Sequence, residues 1–317
     1  SVVVVAYQNW PDLELAVQSA LCQSYRPVEV IVVDNSSTDE TPQEVPGRFG
    51  GRIRYVRQPN TGDAGAYNTG FRLSKGEFVQ FLDGDDVLTT YKIEKQLEVF
   101  RAHPEADIVH GDIRRFQTSP SRADWADHAS RDYDDMLAAT LSGGDMDVPS
   151  GALSRRGALE RIGPWDEKVY CTDFDYWLRA AWLGCRFRYC PGLMGFCRLH
   201  PKQMAADPVA MRRGVEAVLS KALTYIDREP YRSMVARALS EHRLLMAVAR
   251  DGMTRREAWE KLRQSFEARD GEVPLPAYAI AAAAILAPGG KFAARSPAFR
   301  PLRRFMAWLV GYHIPRF

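Results

Sequence analysis

The sequence predicts an α/β fold, in which a mixed β-sheet is flanked by helices and followed by an α-helical C-terminal extension. Short β-branched runs first alternate with helix-like segments, which is typical of parallel βαβ units. The pattern becomes mixed from Asp107 onward, and beyond Asp207 apolar residues recur at helical spacing. The predicted boundaries are residues 1–106 and 107–204 for the two halves of one domain and residues 205–317 for the extension.

Four strands and four helices alternate in the first half of this domain. The predicted strands are Val2–Ala6, Val28–Val33, Ile53–Arg57 and Phe78–Leu82, and the predicted helices are Pro11–Leu21, Thr41–Phe49, Ala64–Leu73 and Tyr91–His103. Strands that are buried on both faces carry continuous apolar runs. Val2–Val5 and Val30–Val33 therefore belong at the centre of the sheet.

The second half combines strands with one strong helix and a polar loop. We predict strands at Ile108–Gly111, Ala152–Ser154, Arg186–Tyr189 and Gly195–Arg198 and a helix at Phe174–Leu183. Thr118–Ser130 carries charges of both signs without periodicity, which indicates a mobile surface loop. In the extension we predict helices at Val215–Ile226 and Met234–Ala249, and a capping box of Thr254 and Glu257 that begins another helix.

The composition narrows the classes of partner. The 317 residues carry 42 Lys and Arg against 40 Asp and Glu, and the resulting net charge of +2 gives no field that would select nucleic acid. The five cysteines are odd in number and lack a CxxC pair. Ordinary core thiols in a reduced, cytoplasmic compartment are therefore favoured over a zinc site.

The last segment of the sequence is basic and aromatic. No acidic residue follows Glu272, and basic residues alternate with aromatic and leucine residues through residues 291–317. Two interpretations stay open, namely peripheral contact with an anionic membrane surface and a helix packed on the domain with solvated arginines. The longest apolar run, Ala277–Ala287, is about half of the ~20 residues that span a bilayer, so we expect no transmembrane helix.

Three carboxylates, Asp83, Asp85 and Asp86, directly follow the fourth predicted strand. Open α/β sheets bind ligands at the carboxyl ends of their parallel strands, so a site is expected here. Mutual repulsion is costly unless a cation compensates it, and Mg²⁺ or Mn²⁺ bridging a diphosphate would do so. The competing interpretation is an acidic turn that caps the next helix.

Asp34 ends the second predicted strand, where an acidic residue of nucleotide-binding α/β folds accepts hydrogen bonds from ribose or base. The first strand is not followed by GxGxxG, so a dinucleotide is disfavoured. Asp39 is expected to cap the following helix. The small residues between Asn60 and Gly70 let a ligand approach the backbone closely at the same edge.

Taken together, these motifs resemble the family 2 inverting glycosyltransferases, which have the Rossmann-like GT-A fold and a DxD motif. The similarity covers residues 1–204 and rests on segments in the same order as in the family, namely Ala6–Asn9, Val33–Asp39, Asn60–Gly70 and Asp83–Asp86. It implies a metal-dependent enzyme that binds a nucleotide sugar, with a UDP-sugar favoured. The first half would then bind the donor and the second half the acceptor.

The resemblance implies roles for individual residues of the donor half. Tyr7, Asn9 and Asp34 are expected to hold the nucleoside. Asn68 and Gly84 are expected to line the same donor site. All five lie in the segments that carry the similarity.

The resemblance also implies a metal site and a catalytic base. Asp83 is expected to contact ribose or the ion, Asp85 to ligate Mn²⁺ or Mg²⁺, and His200 to complete the metal or diphosphate site. Asp173 lies in a segment similar to the family's acidic helix start and is the expected base. Thr172 stands where the family usually has Glu, so the acceptor contacts of that Glu are not carried over.

The expected reaction moves a single sugar with inversion to a hydroxyl of a saccharide or lipid-linked acceptor. A carboxylate at a helix N-terminus would remove the proton from that hydroxyl as it attacks opposite the leaving diphosphate. Processive members of the family carry transmembrane helices and a QxxRW signature, which this sequence does not show. We therefore expect a role in polysaccharide or glycoconjugate biosynthesis at the cytoplasmic face of a membrane, with a homo-oligomer left open.

Two alternatives remain at this point. A nucleotidyltransferase that forms a sugar nucleotide shares the α/β sheet and the paired carboxylates. It usually needs a Gly-rich loop with Lys or Arg after the first strand, and Gln8–Pro11 is not such a loop. A non-catalytic module that binds a nucleotide sugar or a glycan would have no need for a base such as Asp173.

Overall fold

A computed structural model of the chain describes residues 1–122, 131–142, 149–201, 203–249 and 253–268, together with residues 278, 281 and 282. The chain divides into two compact units. The first unit consists of Ser1–Met136, Asp145–Lys168 and Thr172–His200, and the second consists of Leu137–Gly144, Val169–Cys171 and Pro201–Phe317. The predicted domain boundary after residue 204 stays a prediction.

Within the described residues, eight strands form one mixed sheet in the first unit. They are β1 (Val2–Ala6), β2 (Val30–Asp34), β3 (Arg54–Arg57), β4 (Phe78–Asp83), β5 (Val87–Leu88), β6 (Ile108–Phe116), β7 (Leu153–Arg155) and β8 (Phe187–Arg198), in the spatial order β3-β2-β1-β4-β7-β6-β8-β5. β1 to β4 pair in parallel, β7 is antiparallel to β4 and β6, and β8 is parallel to β6. The predicted α/β fold with a mixed sheet is confirmed.

Helices cover both faces of this sheet because the strands at its centre are apolar on both sides. The helices among the described residues of the first unit are α1 (Asp12–Leu21), α2 (Thr41–Phe49), α3 (Gly62–Leu73), α4 (Lys92–Ala102), α6 (Arg156–Ile162) and α7 (Thr172–Trp182). Those of the second unit are α5 (Met136–Leu141), which begins at its edge, α8 (Pro208–Ala222), α9 (Tyr231–Ala249) and α10 (Arg255–Ala268). Successive side chains of a strand point to opposite faces. Val2 and Val4 accordingly join one buried cluster with α1 and α4, while Val3 and Val5 join another with α3, α6 and α7.

A close contact between α3 and β1 fixes the parallel half of the sheet. A Cβ atom at Gly70 would lie 2.1 Å from Cγ1 of Val3, so only glycine allows this helix to lie so near the strand. The helix carries Asp63 in its first turn, at the same edge as the end of β1. The close packing therefore sets where that carboxylate lies.

The prediction for the second half is wrong in one respect. Arg186–Tyr189 and Gly195–Arg198 belong to the single strand β8, which continues through Gly192. Its pairing with β6 shifts register on both sides of Asp112, so the sheet absorbs the Pro-Gly interruption without ending the strand. Three short elements, β5, α5 and α6, were not predicted, because their lengths give little periodicity.

Within the described residues after 204, the second unit is mainly helical and contains α8, α9 and α10, as predicted for the extension. Thr254 and Glu257 form the predicted capping box at the start of α10, since Thr254 N donates to Glu257 Oε2 at 2.7 Å and Glu257 N donates to Thr254 Oγ1 at 3.3 Å. Glu216 of α8 binds Arg243 of α9 at 2.9 Å and Lys261 of α10 at 2.6 Å. This ion cluster ties the three helices together.

Several expectations concern segments with few described residues. Residues 291–317 and most of Ala277–Ala287 lie outside the described residues, as do residues 123–130 of the predicted loop. Among the helices that the structure describes, none is both long enough and apolar enough to cross a membrane. Cys171, Cys185 and Cys190 are buried, as expected for core thiols, whereas Cys197 is half-buried and Cys22 is exposed.

Candidate active site

The strand order of the first unit reverses beside β1, which creates a crevice at the carboxyl ends of β1 and β4. The loop after β1 and the turn after β4 meet there. A Cβ atom at Gly84 would lie 2.1 Å from Nδ2 of Asn9 and 2.6 Å from the carbonyl oxygen of Val5. Gly84 is required because the acidic turn packs directly on the end of β1 and on the Asn9 side chain.

Asn9 and Tyr7 offer groups to a ligand at this crevice. Oδ1 of Asn9 is buried and has no hydrogen-bond partner among the described residues, which is costly for a polar atom. Tyr7 is 48% exposed although it directly follows a buried strand. The two predicted donor-site residues therefore lie at the switch point of the sheet with unused binding capacity.

The loops after β1 and β2 are tied to each other by polar side chains. Gln8 donates from Nε2 to Thr38 Oγ1 at 2.7 Å and accepts from the Asp39 backbone at 3.2 Å. Asp39 accepts from Trp10 N at 3.0 Å and from Thr41 N at 3.1 Å, where α2 begins. The N-cap of α2 is Glu40, whose side chain makes no capping bond, so the prediction that Asp39 caps this helix is wrong by one position. The Asp39 carboxylate instead joins the two loops.

Asp34 differs from the expectation of a direct nucleoside contact, because its side chain is completely buried. Its Oδ1 accepts from Ser37 N at 2.8 Å, and its Oδ2 accepts from the Tyr55 hydroxyl at 2.5 Å and lies 3.6 Å from Nε of Arg57. The Arg57 side chain is 49% exposed. The surface at this strand end is thus formed by neighbours that Asp34 holds in place, Arg57 among them.

Asp85 and His200 are brought together by the pairing of β5 with β8. These strands are antiparallel with Val87 opposite Phe196, so the residue two positions before Val87 lies near the end of β8. Nε2 of His200 lies 2.9 Å from Oδ2 of Asp85. This hydrogen bond raises the pKa of His200, although burial opposes the shift.

Asp83 and Asp86 flank this pair but face protein groups. The Tyr67 hydroxyl donates to Oδ1 of Asp83. Burial, together with the charges of Asp86 and Asp85, raises the pKa of Asp83 well above its ordinary value. Burial and the charge of Asp85 raise the pKa of Asp86 to about 7. The turn therefore concentrates negative charge that a cation would relieve.

Asp173 reaches the same region from a distant part of the sequence. It lies half-buried in the first turn of α7, and its Oδ1 accepts from Phe174 N at 2.7 Å. Asp63 in the first turn of α3 was not predicted as a site residue, but the charges of Asp85 and Asp173 both act on its carboxyl group. Burial raises the pKa of Asp63, and the charges of Asp85 and Asp173 both add to that rise. The carboxyl of Asp63 therefore lies near enough to Asp85 and Asp173 for both charges to act on it.

The Asn68 side chain, expected to line the donor site, is buried and bonded to other protein groups. It is buried, its Nδ2 donates to the carbonyl of Trp165 at 3.0 Å and to Glu167 Oε1 at 3.1 Å, and its Oδ1 accepts from Trp165 N at 2.8 Å. All of its polar groups thus hold the segment that leads into α7. Its position supports the placement of Asp173 rather than direct contact with the donor.

The described residues hold no group of three or more His, Cys, Asp or Glu side chains arranged for a metal ion. The expected trio of Asp83, Asp85 and His200 is therefore not assembled as a complete site, since Asp83 is turned to Tyr67. Asp85 and His200 alone do fit adjacent ligand positions. The Asp85 carboxylate and the His200 imidazole could together hold one cation, whose charge the diphosphate of a donor would help to balance.

The fold is that of known glycosyltransferase structures. The TarS protein of S. aureus in complex with UDP-GlcNAc superposes with a TM-score of 0.63 at 15% identity, covering 98% of this chain and 88% of that one. A mannosyltransferase from Pyrobaculum calidifontis in complex with GDP-Man and Mn²⁺ gives a TM-score of 0.59 at 20% identity, covering 98% of this chain and 84% of that one. At these identities the likeness is one of fold, the GT-A type.

Similarity to curated sequences is closer. A glucosyltransferase of Escherichia coli, UDP-Glc:α-D-GlcNAc-diphosphoundecaprenol β-1,3-glucosyltransferase WfaP, is 36% identical over 218 residues, which cover 65% of this chain and 80% of that protein. An uncharacterized glycosyltransferase of Nostoc is 29% identical over 193 residues, which cover 55% and 59%. The chain thus spans little more than half of some curated relatives. The model of glycosyl transferase family 2 matches residues 1–163, and the chain belongs to that family.

Proposed function

We propose that this protein is a metal-dependent, inverting glycosyltransferase that moves one sugar from a UDP-sugar to a hydroxyl of a lipid-linked saccharide. The observation that carries the proposal is the contact between Asp85 and His200, whose Oδ2 and Nε2 lie 2.9 Å apart. The two residues come from separate segments and meet at the carboxyl edge where α/β sheets bind nucleotides. A non-catalytic binding module would not require a half-buried carboxylate at the start of α7.

The donor half would bind the nucleoside diphosphate at the crevice between β1 and β4. Tyr7 and Arg57 offer exposed surface to the base and ribose, and Oδ1 of Asn9 offers an acceptor. Asp34 would act by holding Arg57 and the loop after β2. Gly84 would act by letting the acidic turn pack on the end of β1 beside Asn9.

A divalent cation, Mn²⁺ or Mg²⁺, would be held by Asp85 and His200, with Asp83 close by. When bound, the ion supplies positive charge that stabilises the departing diphosphate. His200 must present a neutral Nε2 to it, so protonation of His200 competes with metal binding. Because Asp85 raises the pKa of His200, we expect the Mn²⁺ concentration for half-maximal activity to rise as the pH falls.

Asp173 would serve as the base in the acceptor half. Asp173 lies in the first turn of α7, where Phe174 N donates to its Oδ1, and a helix N-terminus stabilises negative charge. The carboxylate would take the proton from the acceptor hydroxyl as that oxygen attacks the anomeric carbon. Asn68 would position this base through the Trp165 segment.

The acceptor and the cellular location rest on the relatives. WfaP is named for UDP-Glc and for a GlcNAc-diphosphoundecaprenol acceptor, which favours a UDP-sugar and a lipid-linked sugar diphosphate here. Such an acceptor is held in a membrane, so we propose that the enzyme works peripherally at the cytoplasmic face. Residues 291–317 are the candidate contact because their sequence is basic and aromatic.

A panel of nucleotide sugars tests this proposal. We expect Mn²⁺-dependent transfer from a UDP-sugar to a GlcNAc-diphosphate lipid, and we expect Asp173→Asn to lower turnover by about 10² to 10⁴-fold. UDP binding by Asp173→Asn should equal that of the wild type. Glu160→Gln changes an exposed carboxylate on α6 and serves as the matched control. Turnover of Asp173→Asn at the wild-type rate would remove the base from the mechanism.

A further inference from the structure

A fully buried lysine lies in the core beneath the acidic turn. Lys92 of α4 has no exposed surface, which is unusual for an ammonium group. Its Nζ donates to Oε1 of Gln80 on β4 and, at 2.5 Å, to Oε1 of Gln96. Because a lysine side chain only donates, both glutamines must turn their carbonyl oxygens toward it. Their amide nitrogens are thereby directed to other partners.

Those amide nitrogens hold one short helical turn, Pro149–Gly151. Nε2 of Gln80 donates to the carbonyl oxygens of Pro149 and Ser150, each at 3.2 Å. Nε2 of Gln96 donates to the carbonyl oxygen of Gly151 at 2.9 Å. Three successive carbonyl groups are thus fixed by two side chains whose orientation Lys92 sets.

Ser150 connects this turn to the candidate metal site. Its hydroxyl donates to Oδ2 of Asp86 at 2.5 Å, and both residues are buried. Oδ1 of Asp86 accepts from the backbone N of Arg198 at 3.0 Å, and Nε of Arg198 donates to the carbonyl oxygen of Asp85 at 3.3 Å. The chain of contacts ends on the two backbone segments that carry Asp85 and His200.

We propose that Lys92 and Ser150 are positioning residues for the metal and diphosphate site. Lys92 fixes the amide orientation of Gln80 and Gln96, these fix the Pro149–Gly151 turn, and Ser150 then holds Asp86 so that Asp85 and His200 stay in register. Buried networks of this kind act as a unit because each member is satisfied by the next. The effect of these residues on metal binding rests on the proposed function. Their effect on the position of the Asp85 and His200 segments rests on the contacts alone.

Two variants and a control test the coupling in the full chain. Ser150→Ala removes only the hydroxyl, and Lys92→Met removes the ammonium while keeping the length of the side chain. Ser74→Ala is the control, because Ser74 is also buried and hydrogen-bonded but precedes β4 at the opposite edge of the sheet. The measurements are hydrogen exchange of the Arg198 amide, the Mn²⁺ concentration for half-maximal activity, and the melting temperature.

We expect Ser150→Ala to speed exchange of the Arg198 amide and to raise the half-maximal Mn²⁺ concentration about 10-fold, as for other partners that orient metal ligands. Ser74→Ala should leave both values unchanged at a similar melting temperature. Unchanged exchange and Mn²⁺ dependence in Ser150→Ala would overturn the proposal, even if Lys92→Met fails to fold. If the wild type shows no Mn²⁺-dependent transfer, the proposed function fails, while the exchange result still decides the coupling.

Discussion

Gly84→Ala gives a direct test of how closely the acidic turn packs on β1. The new Cβ atom would lie 2.6 Å from the carbonyl oxygen of Val5, where ordinary contact begins at 3.4 Å. The Asn9 side chain, 2.1 Å away, can rotate, but the Val5 carbonyl belongs to a buried strand and cannot move alone. Overpacking of this kind costs about 1–3 kcal/mol of unfolding free energy.

The same substitution should impair the site, because relief of the clash moves Asn9 or the turn that carries Asp85. We expect UDP affinity in the presence of Mn²⁺ to fall by roughly 10-fold or more. Urea denaturation and calorimetric titration measure the two effects.

Gly157→Ala is the matched control, because no atom lies within 4 Å of its added Cβ and the residue lies in α6. The unfolding free energy of that variant should rise by about 0.5–1 kcal/mol, and its affinity for UDP should equal that of the wild type. If Gly84→Ala matched Gly157→Ala in stability and in UDP affinity, the described packing would be wrong.

Three further predictions concern stability. Burial raises the pKa of Glu216, but its bonds to Lys261 and Arg243 outweigh burial and hold that pKa below its ordinary value. Ionised Glu216 therefore adds to the unfolding free energy at neutral pH, and this stabilisation is lost as the pH falls through the lowered pKa. Glu216→Gln should therefore cost about 2 kcal/mol in urea denaturation at pH 7 and less at pH 4, and equal costs would contradict this. Thr254→Ala should destabilise the start of α10 by about 1 kcal/mol, visible as faster hydrogen exchange there, and unchanged exchange would count against the capping box. Burial lowers the pKa of Lys92 from 10.5 to about 7, so the unfolded chain binds more protons between those values and unfolding free energy should rise with pH across that window. Lys92→Met should abolish this rise, and a retained rise would assign it to another group.

Local patterns in the sequence were sufficient to predict the donor half of the fold. The first two strands are continuous apolar runs, the other two are rich in aromatic and β-branched residues, and polar residues follow all four. The carboxyl edge is where parallel strands place a ligand, so Asn9 and Gly84 could be assigned to one site before any contact was known.

Contacts between distant residues were beyond such patterns. β5 has two residues and no periodicity, yet its pairing with β8 is what brings Asp85 to His200. Asp34 is buried through its contacts with Tyr55 and Arg57 of the neighbouring strand β3. The spacing of residues along one segment does not determine which strands are neighbours, so these contacts could not be predicted. Asp63 was overlooked because a carboxylate in the first turn of a helix is ordinary; its position after the Asn60–Gly62 turn at the same edge was the available signal.

Binding of UDP with and without Mn²⁺ tests the central claim most directly, namely that Asp85 and His200 hold an ion against a diphosphate at the edge of the sheet. Calorimetric titration of the wild type should show at least about 10-fold tighter UDP binding with Mn²⁺ than with a chelator, and Asp85→Asn should remove that difference while the protein stays folded. Equal UDP affinity with Mn²⁺ and with chelator in the wild type, or an undiminished Mn²⁺ effect in Asp85→Asn, would contradict the account.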